Sequence, residues 1–426
     1  MGPPALLALL VLAAPAADSL TVEECTALAA LHAPGVLAAR ADALAASYDS
    51  SAAAVTGRPA LSLDGGALLV PDGSYDPAAT NNGEYHAKVV LDWPLADGGV
   101  RRRARTTAAL TAEGARLDAA TAAREAQIHV IEVALDLARI DEVRAAQAAS
   151  EAWLDELAAL VDAGVRSGRR SRADAVRVAL EHDAAESAQL TSEGARGALA
   201  RELATLIGRP GEAIAVRAPE GELAAADSTV LLARLEAQPE FQRARNEEAL
   251  RRVAIEEAKG TKALQFGLVA DAGLWGTDLL HAVPPELEEA HPGSTFSDRM
   301  KRDLGASVAI EVKKPLTDPA AGATALARVA ALDAARLRRE ALLEQRRRGV
   351  YDLVERGRTA FAQLALAENS TARADDNVLR ARSLYAGGGA GLLDVLDARR
   401  QLDEARARLA DARFEAFKAR YEAEVP

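Results

Sequence analysis

The run His86-Ala87-Lys88-Val89-Val90-Leu91-Asp92-Trp93-Pro94-Leu95 decides how the chain is read. Ala87, Val89, Leu91, Trp93 and Leu95 fall on one face of an extended strand, and His86, Lys88, Val90 and Asp92 on the other, because successive side chains point to opposite sides. The segment before it alternates Leu61, Leu63 and Leu69 with Ser62 and Asp64. Two later segments repeat the pattern. Leu264, Phe266, Leu268, Ala270 and Leu274 oppose Gln265, Gly267 and Asp271, while Leu304, Ala306, Val308, Ile310 and Val312 oppose Ser307, Glu311 and Lys313. Period two over about ten residues is the pattern of a membrane-spanning strand, apolar toward lipid and polar toward a lumen. Amphipathic hairpins packed on a helical layer would show the same alternation. The connections Pro71 to Glu84 and Gly276 to Asp303 favour the first reading, being polar, rich in Pro and Gly, and unequal. Four strands leave no room inside a barrel, and an open edge in lipid leaves backbone groups unsatisfied. Several chains must then share one barrel, and three would supply twelve strands.

Around these strands the chain is built of helix formers. They run from Gly98 to about Ala163 and from Ala320 to about Ala386, each roughly 100 Å at 1.5 Å per residue. Spans of that length belong to coiled coils or helical barrels. Shorter helices are expected near Thr21–Gly57, Arg172–Ile207, Thr229–Lys259 and Leu392–Glu424. Val395, Leu402, Leu409 and Ala416 fall seven apart, with Ala398, Ala405, Ala412 and Ala419 beside them, a spacing for close side-by-side packing. An isolated coiled coil would account for the helices and leave the strands without a role.

The chain is also duplicated. Pro94-Leu95-Ala96-Asp97 recurs as Pro315-Leu316-Thr317-Asp318. Gly168 with Ala173-Asp174-Ala175-Val176 recurs as Gly388 with Leu393-Asp394-Val395-Leu396, and Pro34 with Arg40 echoes Pro239 with Arg245. Each half reads helix, strand, loop, strand, very long helix, turn, helix. The expected segments are an export signal over 1–16, a first helix over 17–58, a hairpin over 59–96 and a helical hairpin over 97–210. A connection over 211–228 leads to a second helix over 229–263, a hairpin over 264–315 and a helical hairpin over 316–426.

Of 426 residues, 49% are hydrophobic yet only 4% aromatic, and the formal net charge is −12. The acidic balance argues against a nucleic-acid partner. Cys25 is the one cysteine, and the six histidines are scattered, so no disulfide framework or zinc motif is present. No phosphate-binding glycine loop or nucleophile elbow occurs, and neither an enzyme nor a cofactor is expected. Ala5 to Ala14 followed by Ala14-Pro15-Ala16 reads as a cleaved export signal, although no basic residue precedes it.

On Pro94-Leu95-Ala96-Asp97-Gly98-Gly99, on Tyr385 followed by Gly388 and Leu393-Asp394-Val395-Leu396-Asp397-Ala398, and on Leu206-Ile207-Gly208-Arg209-Pro210, the sequence resembles the TolC-like outer-membrane efflux proteins. The resemblance implies a mainly α fold with transmembrane β: a homotrimer whose twelve-stranded barrel crosses the outer membrane of a Gram-negative bacterium and continues as a helical barrel into the periplasm. It implies a passive exit duct of an efflux or type I secretion system, fed by an inner-membrane pump through a periplasmic adaptor. The alternative is a soluble periplasmic coiled-coil or adaptor protein.

The resemblance further implies a gate at the far end of the tunnel. Asp394 and Asp397 match ring carboxylates that would favour cations, and Tyr385 and Asp174 match a gate hydrogen bond. A basic residue common in the family's second turn is replaced by Ala390, whereas the first turn carries Arg166, Arg169, Arg170 and Arg172 around Gly168. That cluster is expected to pair with Asp394 or Asp397, or to face the adaptor. Arg101, Arg102, Arg103 and Arg105 oppose the dipole of the helix they begin, so lipid phosphates are considered for them. Arg346, Arg347 and Arg348 read as a solvated face. The loop acids Asp72, Asp76, Glu286, Glu288 and Glu289 are assigned no ligand.

Overall fold

The computed structural model describes residues 19–69, 83–221, 223, 226–260, 263–277, 293 and 295–425. The expected export signal and the five loop acids lie outside them. After β1 (Ser19–Leu20), the first half runs α1 (Val22–His32), α2 (Pro34–Val55), β2 (Ala60–Leu69), β3 (Gly83–Ala96), α3 (Val100–Arg166) and α4 (Arg172–Leu206). β4 (Ala215–Val216) pairs in parallel with β1. The second half runs α5 (Ser228–Arg234), α6 (Pro239–Lys259), β5 (Gln265–Thr277), α7 (Phe296–Arg302), β6 (Leu304–Lys313), α8 (Ala321–Ala386) and α9 (Leu392–Glu424).

Two expected helices are broken, at matching prolines. Ala33 and Gln238 take extended ψ values of 135° and 145° because a following proline disfavours the helical region and has no N–H to give. Arg40 then donates to the carbonyls of Ala30 and Leu31 at 3.0 and 3.3 Å, closing the end of α1. The connection read over Gly276 to Asp303 contains α7, whose start is marked by reciprocal bonds between Thr295 and Asp298 at 3.2 and 3.3 Å, a capping box.

Internal contacts divide the chain into two units. One, over 44–114 and 244–338, holds an antiparallel sheet in the order β2-β3-β5-β6. Leu61 pairs with Leu91, Leu63 with Val89, Trp93 with Leu268, and Leu268 with Ile310. The apolar positions therefore come into register as one continuous face, on which Leu63 is 80% and Ile310 68% exposed. Asp64, Lys88, Asp271, Ser307 and Glu311 form the opposite face by the same register. Pairing of β3 with β5 slips between Pro94 and Ala96, since proline offers no ladder donor. Among the described residues the outer edges of β2 and β6 are unpaired.

The other unit comprises the described residues of 1–43, 115–243 and 339–426. One core joins Val22, Cys25 and Ala29 of α1 to Ile131 and Leu137 of α3, Leu203 of α4, and Phe417 of α9. Burial, aided by Glu24, pushes the Cys25 thiol up to about 12, which keeps it protonated and unreactive. Hydrogen bonds link α4 to α3 (Arg196 to Asp141, 2.6 Å), α3 to α9 (Ser150 to Asp403, 2.9 Å) and α8 to α9 (Thr371 to the Ala405 carbonyl, 3.2 Å). Leu180 and Leu190 of α4, and Tyr351, Leu366 and Leu379 of α8, remain exposed. Among the described residues no helix is long and apolar enough to cross a membrane.

Candidate functional site

The helical hairpins turn on the same backbone motif. The N–H of Gly168 donates to the Val165 carbonyl at 3.0 Å and that of Arg169 to Gly164 at 2.9 Å. In the second half Gly388 donates to Tyr385 at 3.1 Å and Gly389 to Leu384 at 2.8 Å. These are the paired bonds of a Schellman motif, whose pivot is left-handed. Gly168 and Gly388 supply it with φ values of 73° and 80°. The next helix is then capped. Ser171 and Asp174 exchange side-chain-to-backbone bonds at 3.2 and 3.3 Å. Asp394 accepts from the Gly391 N–H at 2.8 Å, but glycine has no side chain to return the bond.

The chemistry on this shared backbone differs. Residues 166–177 hold five arginines and one aspartate, whereas 386–397 hold two aspartates and no base. Tyr385 is the centre of contact, 1% exposed in a core with Leu154, Val161, Val178 and Val395. Arg170 lies 3.8 Å above its ring centroid and donates to its carbonyl at 2.7 Å. Gly164 makes room for this arginine, because a Cβ there would sit 2.4 Å from Arg170 Cγ. Burial pushes the Tyr385 phenol above its ordinary pKa; Arg170 opposes the rise and Asp174 adds to it. Neither Gly164 nor its role was visible in the sequence, where it is one more small residue in a long helix.

Within the chain the expected bond between Tyr385 and Asp174 is not formed: among the described residues the Tyr385 hydroxyl has no hydrogen-bond partner. Asp174 is occupied at Ser171 and lies 3.7 Å from Arg177. Within the chain the first-turn arginines do not reach Asp394 or Asp397 either. Asp394 caps Gly391, Asp397 meets Arg400 at 3.1 Å, and both are exposed. Arg169 donates to Ser167 at 3.0 Å. Arg166 and Arg172 are exposed and have no carboxylate partner among the described residues.

Two other basic clusters find partners within the chain. Arg101 meets Asp97 at 2.8 Å and donates to the carbonyls of Pro94 and Gly57 at 2.7 and 3.2 Å, and Arg105 donates to Thr56 at 2.7 Å. They sit at the C-terminal end of α2, whose dipole and open carbonyls favour cations. That offsets the unfavourable start of α3. Of the four, Arg102 and Arg105 are exposed, and Arg105 is held by the Thr56 carbonyl. Arg346 is only partly exposed: it pairs with Glu240 at 2.6 Å, and Arg124 meets the same carboxylate at 3.6 Å, whereas Arg347 and Arg348 are exposed. This joins α8, α6 and α3. Among the described residues no group of three or more His, Cys, Asp or Glu is placed to hold a metal ion.

No protein-family model and no curated protein matches the sequence. Solved structures do match in fold. The outer membrane protein VceC of Vibrio cholerae is similar with a TM-score of 0.74 at 16% identity, over 94% of each chain. The outer membrane channel CmeC of Campylobacter jejuni is similar with a TM-score of 0.76 at 12% identity, over 95% of this chain and 84% of that one. The MtrE outer membrane channel of Neisseria gonorrhoeae, in its open state, gives 0.65 at 16%, over 95% and 88%. With its duplicated helix, hairpin and long-helix plan, the chain has the fold of the TolC-like outer-membrane channels.

Proposed function

We propose that three copies of this chain form an exit duct in the outer membrane of a Gram-negative bacterium. One observation carries the reading: a four-stranded sheet whose two edges are unpaired among the described residues and which has one continuous, exposed apolar face. Such a sheet is satisfied in lipid only by closing on further copies, and twelve strands enclose a polar lumen lined by residues such as Lys88 and Asp271. The exposed apolar residues on α4 and α8 are covered by the same assembly. The duct performs no chemistry and needs no cofactor. Its cargo arrives from an inner-membrane pump through a periplasmic adaptor, which the exposed arginines of the first turn face.

The turns form the gate. Three copies place six turns around one mouth, basic and acidic in alternation. Arg166, Arg169 and Arg172 then lie beside Asp394 and Asp397 of a neighbour, while Arg170 holds Tyr385 within its own chain. Like charges crowded at a narrow mouth favour counter-ions, so opening exposes an acidic, cation-favouring ring.

Extraction and conductance test this. The protein is expected to resist salt washing, to need detergent, and to run as a heat-sensitive trimer. In a planar bilayer the resting channel is expected to be nearly closed, and removing the charges of Arg169 and Arg170 should raise its conductance. A freely soluble single-chain protein overturns the duct; an unchanged trace overturns the gate alone.

A further inference from the structure

A cavity of about 510 Å³ lies between α3, α4 and α9, with Thr371 of α8 also on its wall. Leu154, Ala185, Leu396 and Ala410 give it apolar surface, and its charged side chains belong to pairs in every case but one. Arg399 meets Asp403 at 3.0 Å, Arg400 meets Asp397 at 3.1 Å, Arg406 meets Asp375 at 3.5 Å, and Glu142 meets Arg413 at 3.7 Å. The neutral polar groups bring no charge and are already bonded. Ser150 Oγ donates to Asp403 at 2.9 Å, Gln147 Oε1 accepts from Ser192 at 2.8 Å, and Thr371 Oγ1 donates to the Ala405 carbonyl at 3.2 Å. The exception is Glu181, partly buried on α4, whose carboxylate has no partner among the described residues. Arg177, one turn back, lies 3.7 Å from Asp174 instead, and the adjoining His182 lies 3.4 Å from Asp155.

The wall therefore carries one uncompensated negative charge beside apolar surface. A carboxylate that loses part of its water and gains no partner is costly, and a cationic donor within hydrogen-bonding reach relieves that cost. This sets the head group of an occupant: a cation that donates N–H to Glu181. An anion gains little, since each arginine on the wall already has its carboxylate and Glu181 repels it. The apolar surface sets the rest of the occupant, and the volume is in the range of small-molecule sites, about 300 to 1,000 Å³. We infer that this cavity binds small apolar amines in their protonated form, with Glu181 as the counter-ion. Because α3 and α4 form the first helical hairpin and α9 belongs to the second, an occupant bridges the two.

Equilibrium dialysis of the purified full chain, with nonionic detergent at equal concentration on both sides, tests the inference. The probe is 2-naphthylmethylamine, protonated at neutral pH, with 2-naphthalenemethanol as a neutral control of like shape and 2-naphthoate as an anionic one. The amine is expected to bind about tenfold more tightly than the alcohol, the scale of one hydrogen bond to a charged group, and the naphthoate to be the weakest of the three. Glu181→Gln, which keeps the shape and removes the charge, should bring the amine down to the affinity of the alcohol. Ala146→Leu, which fills the cavity from α3 and leaves Glu181 in place, should weaken amine and alcohol alike; circular dichroism checks that both variants keep their helices. Equal affinity for amine and alcohol, a preference for naphthoate, or amine binding undiminished in either variant overturns the inference, as does no retention at all, which would leave the cavity to water. Each residue used belongs to one chain, so neither result bears on whether copies assemble into a duct.

Discussion

The two helical turns share a backbone and differ in nearly every side chain that leaves it. Gly168 and Gly388 hold the same left-handed pivot, and Asp174 and Asp394 cap the same position. Displacing the first turn by the repeat offset sets Gly164 against Leu384, Val165 against Tyr385, and Arg170 against Ala390. The contact between Arg170 and Tyr385 thus has no mirror image, because its counterpart would be an alanine over a valine. The pivots are bound to one residue type by backbone geometry, whereas the side chains around them are free to diverge. The duplication therefore preserves a shape and divides the chemistry, one turn holding and the other held.

Variants that break or sharpen this contrast fall in order of size. Arg170→Ala removes a charge-assisted hydrogen bond and a cation–π contact, together about 2–4 kcal/mol. Hydrogen exchange at the second-turn amides should rise accordingly, with little change at the first core around Leu137. Gly164→Leu evicts the arginine stem at a cost of about 1–3 kcal/mol and should give the same exchange pattern. Adding Ala390→Arg to Arg170→Ala should not restore protection, since the residue corresponding to Tyr385 is Val165. Rescue would make the turns interchangeable and end the comparison.

Tyr385→Phe deletes a hydroxyl that has no partner, and should be neutral or stabilising by up to about 1 kcal/mol. Loss of stability would reveal a bond such as the one expected to Asp174. The same pair gives a pH test. A phenol with a raised pKa contributes stability that is present below its ordinary value of about 10 and lost as pH rises through the folded value. Wild-type protection at the turn should fall in that alkaline window, and the Phe variant should lack this component. Gly391→Ser supplies the missing half of the second cap on a backbone already extended, φ −85° and ψ 163°, and should stabilise α9 by about a few tenths of a kcal/mol, read by thermal unfolding.

The sheet was legible because alternation is a local property: Leu63, Val89 and Ile310 each declare a face without knowledge of their neighbours. The long helices were legible for the same reason, and the duplication because short motifs such as Pro94-Leu95-Ala96-Asp97 recur in the same order. The breaks at Pro34 and Pro239 carried a signal, a proline in mid-run, that helix-forming flanks obscured. The Thr295 and Asp298 cap of α7 likewise lay in a stretch read by composition. What stayed hidden was every role set by distant partners. Arg346 looks like its neighbours Arg347 and Arg348 until α6 brings Glu240 against it. The seat of Arg170 depends on a missing methyl at Gly164 and on a tyrosine more than two hundred residues away.

The pairing of β3 with β5 has a consequence for synthesis. Ala96 meets Phe266 across about 170 intervening residues, most of them helical. Closing so long a loop slows folding relative to local contacts. The inner edge of the first hairpin therefore stays bare until the second arrives, a delay in which it must be kept from pairing with the wrong strand.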